Sequence, residues 1–192
     1  MIKAIIFDFF DVFRTDSYKA WLQANNIPHE GAYFDVNRQM DLGTITTEQF
    51  LERLSELQGR TVTHEELDAT ATVNDEVVAI AQDLKSKYRI ALLSNAPSDF
   101  IRNLLQVHDL EQHFHEIVIS SEVGMVKPSA EIFEHTLAKL GVSAAEAIFI
   151  DDNPGHVAAA EKVGIKGIQF HSAGQLKDEL GKLGIQVISE AM

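Results

Sequence analysis

The sequence predicts an α/β protein: a doubly wound parallel sheet with a small all-helical lobe inserted after the first strand. Three observations carry that reading. Five short apolar runs are continuous rather than alternating, as in strands covered on both faces: KAIIFDF (3–9), RIALLSN (89–95), EIVISS (116–121), AIFIDD (147–152) and KGIQF (166–170). From residue 74 onward helical patterns separate these runs, so strand and helix alternate. Between about 15 and 73 the chain carries helical patterns alone, with no convincing strand among them.

The first strand ends on Asp8 and continues through two phenylalanines to Asp11. An ionised carboxylate is costly to bury unpaired, so an acid at a strand tip implies a metal, a cation or chemistry there, or else merely a turn. The segment that follows reads as four helices, SYKAWLQANN, AYFDVNRQM, TTEQFLERLSELQG and THEELDATA. Thr46 with Gln49, and Thr63 with Glu66, fit capping boxes that divide it. Its hinges fall near Arg14 and Val73, which makes 1–14 and 74–192 the α/β core and 15–73 a helical cap. In NDEVVAIAQDLKSKY, Val77, Ile80, Ala81 and Leu84 recur at helical spacing behind Asn74, an N-cap residue. SDFIRNLLQV and SAEIFEHTLAKLG follow the same pattern, the second running from Ser129 to a C-cap at Gly141. Ser143 and Glu146 then form a capping box with room for a single turn before the fourth strand.

Composition excludes several classes of function. With 16 Lys and Arg against 29 Asp and Glu in 192 residues, the net charge of -13 disfavours nucleic acid or an anionic membrane as a partner, although a local cationic site is compatible with it. The absence of cysteine removes disulfides and thiolate metal sites. Asp8 interrupts the only apolar run near the amino terminus, so no secretory pattern is present. No run approaches the roughly 18 apolar residues of a spanning helix, and a cytoplasmic protein is expected. The sequence assigns no oligomeric state.

Doubly wound sheets place their sites at the carboxyl ends of the strands. There the first run ends at Asp8, the second at Ser94 and Asn95, the third leads through SSEVGMVKP to Lys127, and the fourth ends at Asp151 and Asp152. Each residue has a bland alternative as a helix cap, a solvated loop charge or a surface acid. Taken in this order, each after its own strand, they are far more specific.

Asp8 with Val12 four positions on, then Ser94, then Lys127 followed by Pro128, then IFIDDNPGHVAAAEKVGI: this order resembles the haloacid dehalogenase-like (HAD) hydrolase superfamily, and most closely its phosphatase-like members with a small helical C1 cap. The resemblance implies a Rossmann-like core and attack by Asp8 on phosphorus, forming an aspartyl phosphate. It implies a Mg²⁺ ion held by Asp8, the backbone carbonyl of Phe10 and Asp152, with Asp151 supporting the site. Ser94 would bind a phosphoryl oxygen beside Asn95, and Lys127 would neutralise both Asp8 and a small phosphate ester substrate.

Two departures stand out. The pattern of the superfamily expects a general acid/base aspartate where this chain has Phe10, and a phenyl ring carries no proton. Asp11 lies one position late, where an extended strand would aim it away from the site unless a bulge intervenes. Loss of a general acid typically costs roughly 10² to 10⁴ in rate. His156 stands where relatives carry Asn or Asp, and reads either as a helix-start residue near solvent or as a proton carrier or supporting partner. Arg14, Tyr18, Trp21, Tyr33 and Arg38 are candidates for substrate contact or for the cap's own core. His113 and His115 read as solvated loop residues. Three functions follow: a phosphatase, slowed by Phe10; a phosphate-binding or regulatory protein that has lost turnover; and a metal-independent 2-haloacid dehalogenase, against which Asp151 and Asp152 would repel Asp8 without a metal.

Overall fold

A computed structural model describes residues 1–188. Five parallel strands, β1 (Ala4–Phe7), β2 (Arg89–Ser94), β3 (Glu116–Ile119), β4 (Ala147–Asp151) and β5 (Lys166–Gln169), form one sheet in the order β3-β2-β1-β4-β5. Ten α-helices accompany them among the described residues: α1 (Ser17–Ala24), α2 (Gly31–Asp41), α3 (Thr47–Gln58), α4 (His64–Asp68), α5 (Asp75–Lys85), α6 (Ser98–Val107), α7 (Ser120–Val123), α8 (Ala130–Leu140), α9 (Pro154–Val163) and α10 (Ala173–Lys182). No described helix is long and apolar enough to cross a membrane.

Period-two geometry explains the continuous apolar runs. Ile5 and Phe7 face one side of the sheet and pack with Val77, Ile80 and Leu84 of α5, Ile101 and Leu105 of α6 and Leu176 and Leu180 of α10. Ala4 and Ile6 face the other side, against Ile132, Phe133 and Leu137 of α8 and Ala160 of α9. Both faces are therefore dry, and each large side chain buried there contributes about 1.5–3 kcal/mol. β1 lies in the middle, with β2 on one flank and β4 on the other. The winding reverses between β1 and β4, so a crevice opens beyond their carboxyl ends.

The segment between β1 and α5 is helical throughout its regular structure and has an apolar centre of its own, built from Trp21, Leu22, Val36, Met40, Ile45, Phe50, Leu54 and Val62. Both bonds of the Thr46–Gln49 capping box form, and α3 closes on Gly59 in the left-handed region (φ 63°). Thr63 caps α4 as expected, but the Glu66 side chain turns instead to Trp21 and Arg60, so that box is only half made. Where the segment leaves and rejoins the sheet its two chains run side by side: Thr15 N donates to Thr72 O at 3.0 Å, Asn74 N donates to Phe13 O at 2.8 Å, and Arg14 bridges to Val73.

The helical segment also docks on the carboxyl rim of the sheet. Gly43 (φ 69°) lies so close to Ser121 that an added Cβ would meet the serine Cβ at 2.8 Å, which only glycine tolerates. The Ser120 hydroxyl accepts from Ala96 N at 3.0 Å and donates to the backbone carbonyl of Asp41, tying the end of α2 to the loop after β2. Thr47 Oγ1 adds a bond to Asp99 Oδ2 at 3.0 Å.

Candidate active site

β1 ends at Phe7, two residues before the apolar run does, because the chain curls directly after Asp8. The amides of Phe13 and Arg14 converge on Phe9 O at 2.8 and 3.1 Å, and Asp11 takes a positive φ of 56°. This turn corrects the expectation that Asp11 points away. Its carboxylate accepts from Asp16 N at 2.9 Å and from Lys19 Nζ at 2.5 Å, and it lines the cavity over the rim.

Asp8 is the first residue beyond the strand, its amide still bonded to Ile150 O of β4 at 2.8 Å. Buried Lys127 lies between β1 and β4, its Nζ 2.7 Å from Asp8 Oδ1 and 2.7 Å from Asp151 Oδ2. Asn95 holds that lysine's backbone from both sides: its Nδ2 donates to Lys127 O at 3.0 Å and its Oδ1 accepts from Lys127 N at 2.9 Å. Asp151 further accepts from Asn153 N at 2.8 Å and meets His156 Nδ1 at 3.1 Å. His156 is thus a partner of the buried acid and also borders the cavity. Ser94 is buried at the tip of β2, and among the described residues its hydroxyl has no hydrogen-bond partner. It does not itself line the cavity, whereas Asn95 does.

Oxygens of Asp8, Asp151 and Asp152 all lie within 4.8 Å of one another. Asp152 Oδ2 also receives Lys19 Nζ at 3.0 Å, a lysine from α1 that sequence reasoning missed. Four carboxylates, of Asp8, Asp11, Asp151 and Asp152, therefore share two ammonium groups, those of Lys127 and Lys19. Burial and the Asp151 charge push the Asp8 carboxyl well above its ordinary range, against the pull of Lys127. Burial acts on Asp151 in the same direction, but Lys127 and His156 outweigh it and hold it down at about 2. Lys127 loses by desolvation and gains more from its two acids, so its ammonium is retained. The surplus of negative oxygen ligands is the donor set of a hard divalent cation.

Above the rim lies a cavity of about 490 Å³. Asp8, Phe10, Asn95, Lys127, Asp152 and His156 border it from the core, and the helical segment covers it. Phe10 forms part of the wall, its ring stacked on Phe100 (6.3 Å between centroids, 12° between planes). Of the proposed cap contacts, Tyr18 and Arg38 reach the cavity. Trp21 packs in the helical segment's centre, Tyr33 pairs with Tyr18 and Gln58, and Arg14 is buried at the junction with both oxygens of Asp68 at 2.6 and 2.7 Å. His115 is exposed, as read, and its Nδ1 accepts from Ile90 N at 3.0 Å. Asp16 and Asp41 also border the cavity and were not singled out by sequence. The available signal for Asp41 was its spacing, one turn beyond Asn37 and next to the inward stripe of Val36 and Met40.

A family model for haloacid dehalogenase-like hydrolases matches residues 2–164. The chain belongs to that family. As a member of the haloacid dehalogenase-like hydrolases it is similar over 94% of its length to a D-ribitol-5-phosphate phosphatase of Bacteroides thetaiotaomicron, at 24% identity and across 97% of that protein. It is 33% identical over 95 residues to a sesquiterpene phosphatase of Aspergillus oryzae, a match covering 49% of this chain and 48% of that relative. The chain thus spans about half the length of this second phosphatase. Among solved structures, a HAD-family enzyme of Bacteroides thetaiotaomicron in complex with magnesium and inorganic phosphate superposes with a TM-score of 0.69 at 22% identity, covering 90% of this hydrolase and 96% of that chain. That likeness establishes the fold.

Proposed function

We propose that this hydrolase is a Mg²⁺-dependent phosphatase of a small phosphate monoester, working through an aspartyl phosphate at Asp8. The observation that carries the reading is the rim itself: Asp8 with Lys127 at 2.7 Å and two further acids within 4.8 Å, beneath a cavity. The named relatives, both phosphatases, support it.

The chain's residues divide the work. An oxygen of Asp8 attacks phosphorus, while Lys127 favours the ionised form of that carboxyl against burial and the Asp151 charge, and offsets the charge of the phosphoryl oxygens. The buried, unpartnered hydroxyl of Ser94 is free to donate to a phosphoryl oxygen, and Asn95 fixes the Lys127 loop. Asp8, the Phe10 carbonyl and Asp152 would hold Mg²⁺, with Asp151 anchoring Lys127 and His156 behind it. When bound, the ion neutralises the crowded carboxylates and orients the phosphoryl group for in-line attack. Residues 15–73 act as the cap over a core of 1–14 and 74–192, closing the cavity against water.

A panel of phosphate esters assayed with Mg²⁺ and with EDTA tests the proposal. Phosphate release that depends on the metal and disappears in Asp8→Asn is expected; no release even from an aryl phosphate would defeat it. Phe10 in the wall favours one other reading, a phosphate-binding protein without useful turnover, and that same negative assay combined with retained phosphate binding would establish it. Chloride release from a 2-chloro acid that survives EDTA would identify a dehalogenase, against which the three clustered acids argue.

A further inference from the structure

We propose that Asp41, carried by the helical segment, is the general acid and base of this site and supplies the proton transfer that Phe10 cannot. The inference rests on the phosphatase reading above.

Asp41 borders the same cavity as Asp8 and Lys127. It ends α2, and its backbone is the part of that helix fixed to the rim. The Ser120 hydroxyl joins the Asp41 carbonyl to Ala96 N, two residues past Ser94, and Gly43 seats the following turn against Ser121. A proton donor must be held at a constant place relative to the leaving oxygen, and this anchoring provides that.

The cavity's other acids are already committed. Asp8 faces Lys127, Asp11 and Asp152 face Lys19, and Asp68 faces Arg14, so each of these carboxyls is bonded to a cationic side chain. Asp16 spends an oxygen capping α1 at Lys19 N. Among the described residues the Asp41 carboxyl meets a single hydrogen-bond donor, the Asn37 amide at 3.3 Å. Burial, reinforced by the charge of Asp16 from the start of α1, pushes it up to about 7, while Lys127 below and Arg38 on its own helix pull the other way. A carboxylic acid near neutrality both gives and takes a proton at working pH.

The balance closes over two steps. As Asp8 forms its bond to phosphorus, the ester P–O bond breaks and the departing oxygen takes the Asp41 proton, releasing an alcohol. A water then attacks the phosphorus, giving one proton to the Asp41 carboxylate as the P–O bond to Asp8 breaks; inorganic phosphate departs, and the Asp8 carboxylate and the Asp41 acid are restored.

The test uses the full chain with Mg²⁺ on an alkyl phosphate, whose leaving oxygen needs a proton, and on p-nitrophenyl phosphate, whose leaving oxygen does not. Asp41→Asn should lower kcat on the alkyl ester about 10²-fold or more and affect the aryl ester far less. The fall of the wild-type alkyl rate as pH rises through about 7 should vanish, and Phe10→Asp should restore activity to the Asp41→Asn protein. Asp41→Ser should repeat the pattern, which guards against a folding defect peculiar to one variant. Equal losses on both esters with the pH limb intact would overturn the role of Asp41 while leaving the phosphatase reading standing. Absence of phosphate release from either ester by the wild type would remove both.

Discussion

The sheet rim and the helical wall face each other across one cavity, yet they are built on opposite terms. At the rim, Lys127 and Asp151 are withdrawn from solvent and bonded to one another, with Asn95, Asn153 and His156 completing the set. The wall mixes Phe34, Met40, Phe50 and Leu67 with polar groups that meet one or two partners each, as Asn37 meets Asp41 and Asp68 meets Arg14. A network in which every member has several partners holds one geometry, as chemistry at a fixed atom demands. A wall whose side chains have fewer partners tolerates exchange, as the proposed selection of leaving groups would require.

The largest effect should come from cutting the rim at its cation. Lys127→Ala leaves two buried carboxylates opposed, so chemical denaturation should register a loss of about 3–5 kcal/mol together with loss of turnover. An unchanged midpoint would mean that the rim is not coupled as its distances indicate. Next is the aromatic ring at the rim. In the Asp41→Asn protein, Phe10→Asp should raise turnover of esters with poor leaving groups roughly tenfold or more, and a flat response in a protein that folds and binds Mg²⁺ would show that proton transfer is not limiting.

Acid should separate the two sides more gently. Asp151 is held at about 2 in the folded protein, below the roughly 3.9 of an unfolded chain. Its contribution is therefore complete above that unfolded value and drains away as pH falls toward 2. Melting temperatures between pH 5 and 2 should fall, and Asp151→Asn should flatten that fall. The smallest change belongs to Thr47→Ala, which removes one exposed bond between α3 and Asp99; under about 1 kcal/mol of stability should be lost, with KM affected more than kcat. A larger drop in melting temperature would show that the wall is more firmly fixed than its sparse bonding suggests.

The same contrast governs what could be read from sequence. Asp8, Ser94, Lys127, Asp151 and Asp152 follow directly from the ends of apolar runs, because a parallel sheet delivers strand tips to one edge whatever lies between them. Asn95 was legible as the residue after Ser94 at a strand end, but not as the clamp on Lys127, since that pairing depends on how two loops meet. Lys19 and Asp41 reach the cavity only because helices dock across the rim, and no period in α1 or α2 records the partner they meet. Asp11 was misjudged for a local reason: the amides of Val12, Phe13 and Arg14 gather on Phe9 O and convert an extended tip into a curl.

The junction at Thr15 and Thr72 has a further consequence. Because the chain departs and comes back at neighbouring points on a two-rung ladder, everything between them could be replaced by a lobe of another size without disturbing a strand pairing or the order of the sheet. The rim with Asp8 and the lobe above it can then change on separate evolutionary clocks.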